Sequence, residues 1–168
     1  MMAKPLKDTP PFADHSPSQA RPLGGYAVLI STYSIAGCVF ATWFRRSGRQ
    51  LPGRIDTSDL VLITVATHKL SRIVARDRVT SVLRAPFTRF QRDAGPGEVD
   101  EAARGTGLQR AVGELLVCPY CLAMWVSTAF ISGHIVAPRA TRLIASVFAV
   151  VTGADLLQIG YAKAESIL

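Results

Sequence analysis

Two long stretches without charged side chains constrain this chain more than any other feature. Residues 22–44 carry no ionisable side chain except tyrosine and cysteine, and residues 115–138 add only His134. A helix with one face in water shows a charged residue every few positions, whereas about 20 consecutive apolar residues match the hydrocarbon thickness of a bilayer. Both stretches therefore predict transmembrane helices, and the predicted localisation is the cell membrane, with several membrane passes.

The composition fits a one-domain chain in contact with lipid. Of the 168 residues, 49% are hydrophobic and 18% are charged, and 19 Lys and Arg exceed 12 Asp and Glu. In a chain with membrane helices, a basic excess is typical of cytoplasmic loops and of contacts with anionic lipid head groups. We therefore expect membrane lipids as partners, with a homo-oligomer or a membrane-protein partner as a further possibility, and no nucleic acid. No cofactor is predicted.

The hydropathy pattern predicts an all-α fold, an integral membrane bundle of three to four transmembrane helices. The first span covers residues 25–44, the third runs from Glu114 or Cys118 to Gly133, and the last covers residues 143–162. Residues 1–22 are rich in Pro, Ser and Asp and predict a disordered tail before a membrane-embedded helical domain at 23–168. Residues 91–106, with a Gly-Pro-Gly sequence and several charges, predict a hydrophilic loop.

The segment at residues 60–79 is ambiguous. It begins with apolar residues, but His68, Lys69, Arg72 and Arg76 interrupt its second half. We expect a helix that enters the bilayer with its first half and surfaces with its second, since long basic side chains can reach the interface from near a helix end. Whether or not this helix crosses, Lys and Arg are more numerous on the side that holds the Arg-rich central loop and the C-terminus, which predicts that both are cytoplasmic.

Small residues recur at steps of three and four in the first and last spans, which predicts close approach of another helix. They are Ala27, Ser31, Ser34, Cys38 and Ala41 in the first span, and Ala145, Ala149 and Gly153 in the last. Asp155 is the one charged residue of the last span, and we expect it to pair with a cation across the bundle.

Several basic residues are candidates for contacts with lipid head groups or other anions: His68, Lys69, Arg72, Arg76, Arg84 and Arg89. Such side chains near a helix end bind phosphates, either at a defined site or nonspecifically. The turn around Pro86 and Phe87 predicts an anchor at the lipid surface. Glu114 is expected to cap the following helix, or alternatively to accept a hydrogen bond from an arginine.

The Cys118-Pro119-Tyr120-Cys121 sequence allows three interpretations. Proline is favoured at the first helical position, so Cys118 can occupy a helix N-terminus, where a thiolate is stabilised. Cys118 and Cys121 are therefore a candidate redox pair. They are also candidate metal ligands, although a closed zinc site needs four ligands and the others available are Cys38, His15, His68 and His134. The third interpretation, helix packing, is the favoured one.

Two blocks of sequence resemble a known family. One runs from Thr67 to Asp77, where it ends in Arg76-Asp77, and continues to Arg-x-Pro-Phe at residues 84–87. The other is the Gly-Glu-Leu-Leu-x-Cys-x-x-Cys-x-x-x-Trp string at residues 113–125. In this order they resemble small bacterial and phage membrane proteins catalogued as domain-of-unknown-function family 1360, which includes a Bacillus sporulation-associated member. The resemblance covers residues 59–133 and leaves out the first and last helices. It implies a membrane protein without an assigned biochemical activity.

Three functional classes follow from these observations. The leading one is a noncatalytic membrane scaffold or interaction protein. The alternatives are a membrane thiol-redox or metal-binding protein that uses Cys118 and Cys121, and a holin-like protein that perturbs the membrane. Enzymatic activity is not favoured, because the sequence has no phosphate-binding glycine loop, no His-Glu-x-x-His and no Gly-x-Ser-x-Gly.

Overall fold

The computed structural model describes residues 21–166. Its elements, in chain order, are α1 (Leu23–Arg46), α2 (Thr57–Arg76), α3 (Ser81–Arg84), β1 (Thr88–Gly95), β2 (Glu98–Ala103), α4 (Gly107–Leu116), α5 (Pro119–Val136) and α6 (Pro138–Glu165). The tail predicted at residues 1–22 lies outside the described residues except for its last two positions. The first and last predicted spans correspond to α1 and α6, and each helix extends beyond the predicted bounds.

A β-hairpin replaces the predicted hydrophilic loop, so the all-α prediction is wrong in this segment. β1 and β2 pair antiparallel, from Thr88 opposite Ala103 to Gly95 opposite Glu98. Gly95 and Gly97 have φ values of 149° and 75°, which residues with a side chain rarely adopt, and this permits the tight turn. The many charged side chains of this segment are typical of a loop, so the sequence did not predict strands. Their charges are compensated only when the two strands pair, as where Arg92 Nε donates to Asp100 Oδ2 at 2.8 Å.

The chain forms two compact units, each of which draws on two separate segments. The hairpin unit consists of the described part of Met1–Arg49 together with Arg76–Cys118, and holds α1, α3, both strands and α4. The helical unit consists of Gln50–Ala75 and the described part of Pro119–Leu168, and holds α2, α5 and α6. The family-like segment predicted at residues 59–133 contributes to both units.

Close contact between α1 and α4 organises the hairpin unit. A Cβ atom built on Gly25 would lie 2.6 Å from Ala111 Cβ and 2.8 Å from the Gly107 carbonyl oxygen, so only glycine fits. Beside this contact, the Tyr26 hydroxyl donates to Glu114. Glu114 lies within α4 and also accepts from Arg110 Nε at 2.9 Å, so the arginine alternative holds and the favoured capping role does not.

The core of the helical unit lies between α2, α5 and α6. Its buried residues are Ile63 and Ala66 of α2, Phe130 of α5 and Ala145 of α6. The rings of Phe130 and Phe148 meet edge to face, with centroids 6.2 Å apart. This core contains the middle of α2, so the ambiguous segment is a helix packed against the two apolar helices.

Among the described residues, three helices are long and apolar enough to cross a membrane: α1, α5 and α6. The predicted third span does not start at Glu114, because α4 ends at Leu116 and α5 begins at Pro119. Proline has no backbone N–H to contribute, so it starts a helix readily and does not continue one. The fold is thus mostly helical, with three apolar helices and one small sheet.

Candidate functional site

One end of the helical unit holds a cluster of charged and polar side chains around a buried carboxylate. Asp59, in the first turn of α2, is only 5% exposed. Arg142 of α6 binds its carboxylate with two parallel hydrogen bonds, Nε to Oδ1 at 2.7 Å and Nη2 to Oδ2 at 2.5 Å. His134 Nε2, from the last turn of α5, lies 3.5 Å from Asp59 Oδ2. Because α5 ends at Val136 and α6 begins at Pro138, the short connection brings both partners to Asp59.

Three buried polar atoms of the helical unit have no hydrogen-bond partner among the described residues. They are His134 Nδ1, Thr67 Oγ1 and Ser71 Oγ. Thr67 and Ser71 are four residues apart in α2 and therefore share one side of that helix. Buried polar atoms in proteins are ordinarily satisfied by protein or by ordered water.

A second ion pair lies further along the same helices. The Lys69 ammonium of α2 donates to the Asp155 carboxylate of α6. The Lys69 side chain is only 14% exposed. The prediction that Asp155 pairs with a basic residue across the bundle is confirmed. The pairing also directs Lys69 into the helical unit, so its ammonium is already engaged by a carboxylate.

Arg84 is the fully buried centre of the hairpin unit. Its Nε and Nη2 donate to Glu101 Oε2 and Oε1, each at 3.0 Å, and Nη2 also donates to the Asp77 carbonyl oxygen at 2.9 Å. Glu101 in turn accepts from Ser81 Oγ at 2.7 Å and Thr88 Oγ1 at 2.6 Å. Arg84 is therefore inside the unit rather than at a lipid surface, and the expected head-group contact is replaced by this network.

Burial and hydrogen bonding act in opposite directions on Glu101. Burial raises the pKa of its carboxyl, but hydrogen bonds from Arg84, Thr88 and Ser81 outweigh burial and hold that pKa below its usual value. The pKa of Asp100 is also lowered, first by the hydrogen bond from Arg92 and then, against partial desolvation, by the charge of Arg76. Asp100 and Glu101 of β2 are thus stabilised in their charged form.

The remaining predicted anion contacts have different surroundings. Arg76 donates to Asp100, so its guanidinium is committed within the hairpin unit. His68, Arg72 and Arg89 are exposed, and their contact with head groups stays a prediction. Phe87 is partly buried, which leaves it less available as a surface anchor than its sequence context indicates.

The cysteines fall into two chemical states. Cys118 and Cys121 are disulfide-bonded, whereas Cys38 is free and exposed on α1. Among the described residues, no group of three or more His, Cys, Asp and Glu side chains is arranged to hold a metal ion. His15, one of the ligands considered for such a site, lies outside the part of the chain that the structure describes.

Sequence reasoning missed the roles of Asp59, Arg142 and Glu101. In the sequence, residues 56–59 offer several candidate helix caps, and Asp59 is one of them. In the structure Asp59 lies within α2 and its carboxylate binds Arg142. The available signal was a match of opposite charges: an acid begins one membrane-adjacent helix, and an arginine lies near the start of another. Glu101 had no such signal, because its partner Arg84 lies in a segment that resembles an exposed basic turn.

Comparisons with known proteins agree with the resemblance carried by the motifs. The profile of a family described as "Protein of unknown function (DUF1360)" matches residues 62–161. The match therefore extends through most of α6, beyond the predicted limit at residue 133. The chain is also 28% identical over 107 residues to "Sporulation protein YjcA" of Bacillus subtilis (strain 168), which covers 62% of this chain and 91% of that protein.

No solved structure matches the chain significantly. The matched region contains most of α2, the hairpin with Arg84 and Glu101, the two bonded cysteines and Asp155. It thus includes residues from both compact units, with the Lys69–Asp155 and Arg84–Glu101 pairs, whereas Asp59 and Tyr26 lie outside it. Because the profile spans more than half of the sequence, the chain belongs to the DUF1360 family.

Proposed function

We propose that this protein is a noncatalytic membrane scaffold that assembles with further copies of itself or with another membrane protein. Its polar side chains support this role, because the buried and half-buried ones are largely bound to each other. Asp59 is held by Arg142, Lys69 by Asp155 and Arg84 by Glu101. Ionic groups paired in this way stabilise the position of helices, whereas a general acid or base needs access to a substrate.

The observation that carries the proposal is the row of small residues in α6. Ala145 is fully buried in the core of the helical unit, and near it a Cβ atom on Gly133 of α5 would lie 3.0 Å from Thr141 Oγ1. The same row continues to Gly153, where an added Cβ would meet no heavy atom within 4 Å. A surface that permits close helix packing at one end is therefore open at the other, where a helix of a second chain fits.

The ion pairs also support a membrane position for α2, as the fourth helix. A lone cation at the centre of a membrane helix costs at least about 2.5 kcal/mol on insertion scales, and pairing within the bundle reduces this cost. Asp59 meets Arg142 where α2 and α6 begin, and Lys69 meets Asp155 further along both helices, so α2 and α6 run in the same direction. The chain that follows α2 and the C-terminus then emerge on one side, which the positive-inside rule assigns to the cytoplasm.

The self-assembly proposal is tested with Gly153→Leu and, as a matched control, Ala154→Leu. Both replace a small exposed residue of α6 with the same large one, but only the first lies in the small-residue row. We expect Gly153→Leu to lower energy transfer between labelled copies in vesicles by at least about threefold, while Ala154→Leu changes it little. Equal effects of the two variants would reject the row as the assembly surface.

A second candidate function rests on the bonded cysteines. As a dithiol–disulfide pair, Cys118 and Cys121 would exchange two electrons and two protons with a thiol partner. Under this hypothesis, Cys118 reacts rapidly with alkylating reagents near neutral pH after mild reduction, and Cys118→Ser with Cys121→Ser abolishes function. The scaffold proposal expects the double variant to assemble normally. Slow alkylation of the reduced, folded protein would count against the redox function.

A further inference from the structure

The segment around α3 has its polar side chains inside and its apolar side chains outside. Val79, Val82 and Leu83, here called the apolar turn, are 83%, 75% and 62% exposed. Arg84, in the same turn of chain, is 0% exposed, and Thr80 and Ser81 take part in its hydrogen-bond network. A short helix at a water surface has the opposite arrangement, with its polar residues outward.

The hairpin unit holds the apolar turn in this orientation. Asp77 Oδ1 accepts from the Val79 backbone N–H at 2.9 Å, and the Arg78 N–H donates to the Gly97 carbonyl oxygen at 2.9 Å. Arg84 then fastens the following residues to Glu101 of β2. The outward position of the three apolar side chains is therefore a consequence of a connected hydrogen-bond network.

The position of the apolar turn within the hairpin unit indicates what covers it. The start of α1 packs on α4 at Gly25, and α4 packs on the base of the hairpin, where a Cβ on Gly113 would lie 2.4 Å from the Phe87 carbonyl oxygen. α3 immediately precedes that base. The apolar turn thus belongs to the same end of the unit at which α1, one of the apolar helices, begins.

The charges near this turn fit an anionic surface. Arg78 flanks Val79 and its side chain is largely exposed, although it also binds Asp93. Arg89 in β1, six residues after Leu83, is also exposed. Exposed apolar residues flanked by arginine are typical of segments that insert shallowly into a membrane with acidic lipids.

From these four observations we infer that the apolar turn is an interfacial membrane anchor, in which Val79, Val82 and Leu83 enter the head-group and upper acyl region of a leaflet that contains anionic phospholipid. The inference rests on the proposed membrane location of the chain. The sequence predicted an anchor at Phe87 and a head-group contact at Arg84, whereas this inference assigns the anchor to the three residues of the apolar turn. It also fixes the hairpin unit against the leaflet at which α1 begins.

Quenching of tryptophan fluorescence by brominated lipid tests the anchor. In a Trp43→Phe, Trp125→Phe background, single tryptophans are introduced as Val82→Trp, as Gln91→Trp on the exposed strand β1, and as Ile35→Trp in the middle of α1. The full chain is reconstituted in vesicles of phosphatidylcholine and phosphatidylglycerol with bromine on the acyl chains. We expect quenching of Val82→Trp to exceed that of Gln91→Trp by at least about twofold.

The three reporters separate the possible failures. If Ile35→Trp is not quenched, the membrane proposal itself fails. If Ile35→Trp is quenched but Val82→Trp is quenched no more than Gln91→Trp, the anchor is rejected while the membrane proposal stands. Protection of Val82→Trp from both lipid and aqueous iodide would indicate a covering protein and also reject the anchor. Equal quenching in vesicles without phosphatidylglycerol would reject the requirement for anionic lipid. Val79→Trp repeats the measurement should Val82→Trp fold poorly.

Discussion

Arg84 and Glu101 show how a single buried pair can hold a small unit together. The Arg84 guanidinium has no exposed surface and the Glu101 side chain is 5% exposed, so neither charge is compensated by water. Hydrogen bonds from Ser81 and Thr88 occupy the remaining acceptor sites of the carboxylate. The pair therefore connects α3 to both strands, and loss of either partner leaves an isolated charge inside the unit.

Arg84→Met is predicted to destabilise the protein strongly. It leaves the Glu101 carboxylate buried without a counter-charge, a change that typically costs about 3–5 kcal/mol in the free energy of unfolding. Arg89→Met, which replaces an exposed arginine, is the control and should change that free energy by less than about 0.5 kcal/mol. Thermal unfolding in one detergent measures both. Similar melting temperatures for the two variants would contradict the structural role of Arg84.

Acid is predicted to loosen the hairpin. The pKa values of Asp100 and Glu101 are lowered in the folded state, so both groups stabilise the fold when the pH is above their unfolded values, about 3.9 for Asp and 4.3 for Glu. That contribution is lost as the pH falls through the lower folded-state values. Hydrogen exchange of the hairpin amides, measured between pH 6 and pH 3, reports the loss. The measured rates are first corrected for the intrinsic exchange rate, which itself falls about tenfold for each pH unit. Asp100→Asn should show a smaller acid dependence than the unchanged chain, and an equal dependence would contradict the assignment.

At the scale of elements, packing of α1 on α4 depends on one glycine. Gly25→Ala places a Cβ atom 2.6 Å from Ala111, so one of the helices must shift, at a cost of about 1–3 kcal/mol. Gly37→Ala on the same helix is the matched control, because its Cβ meets nothing within 4 Å and alanine favours a helix by up to about 1 kcal/mol. We expect Gly25→Ala to lower the melting temperature and Gly37→Ala to raise it. Destabilisation by Gly37→Ala equal to that by Gly25→Ala would show that α4 is not the cause.

The pairing of α2 with α6 is predicted to be electrostatically coupled. Lys69→Met leaves Asp155 without its cation, Asp155→Leu leaves Lys69 without its carboxylate, and both single variants should unfold more readily. The double variant removes both charges and should recover part of the loss, with an interaction energy of about 1–3 kcal/mol in the double-mutant cycle. Additive effects would mean that the two charges do not stabilise one another.

At the scale of the whole molecule, the ambiguous helix α2 and the missed Asp59–Arg142 pair share one property, which is that the partners of their charges are distant in sequence. Lys69 and Asp155 are 86 residues apart, and Asp59 and Arg142 are 83 apart. α2 resembles an interrupted span only when its charged residues are considered without their partners in other helices. Once they are paired, the same residues are compatible with a membrane helix, which is why its hydropathy was insufficient to classify it.

The amino-acid sequence by itself determined which segments are apolar helices and to which family the chain belongs. Both are local properties, since twenty neighbouring side chains set the hydropathy of a span and a short string of residues carries the family motif. Only the tertiary structure decided that residues 88–103 form a hairpin, that Arg84 is internal, and that Val79, Val82 and Leu83 face outward. The reason is that a charged or polar side chain is accommodated in an interior only by its partner, and folding alone determines which partner it meets.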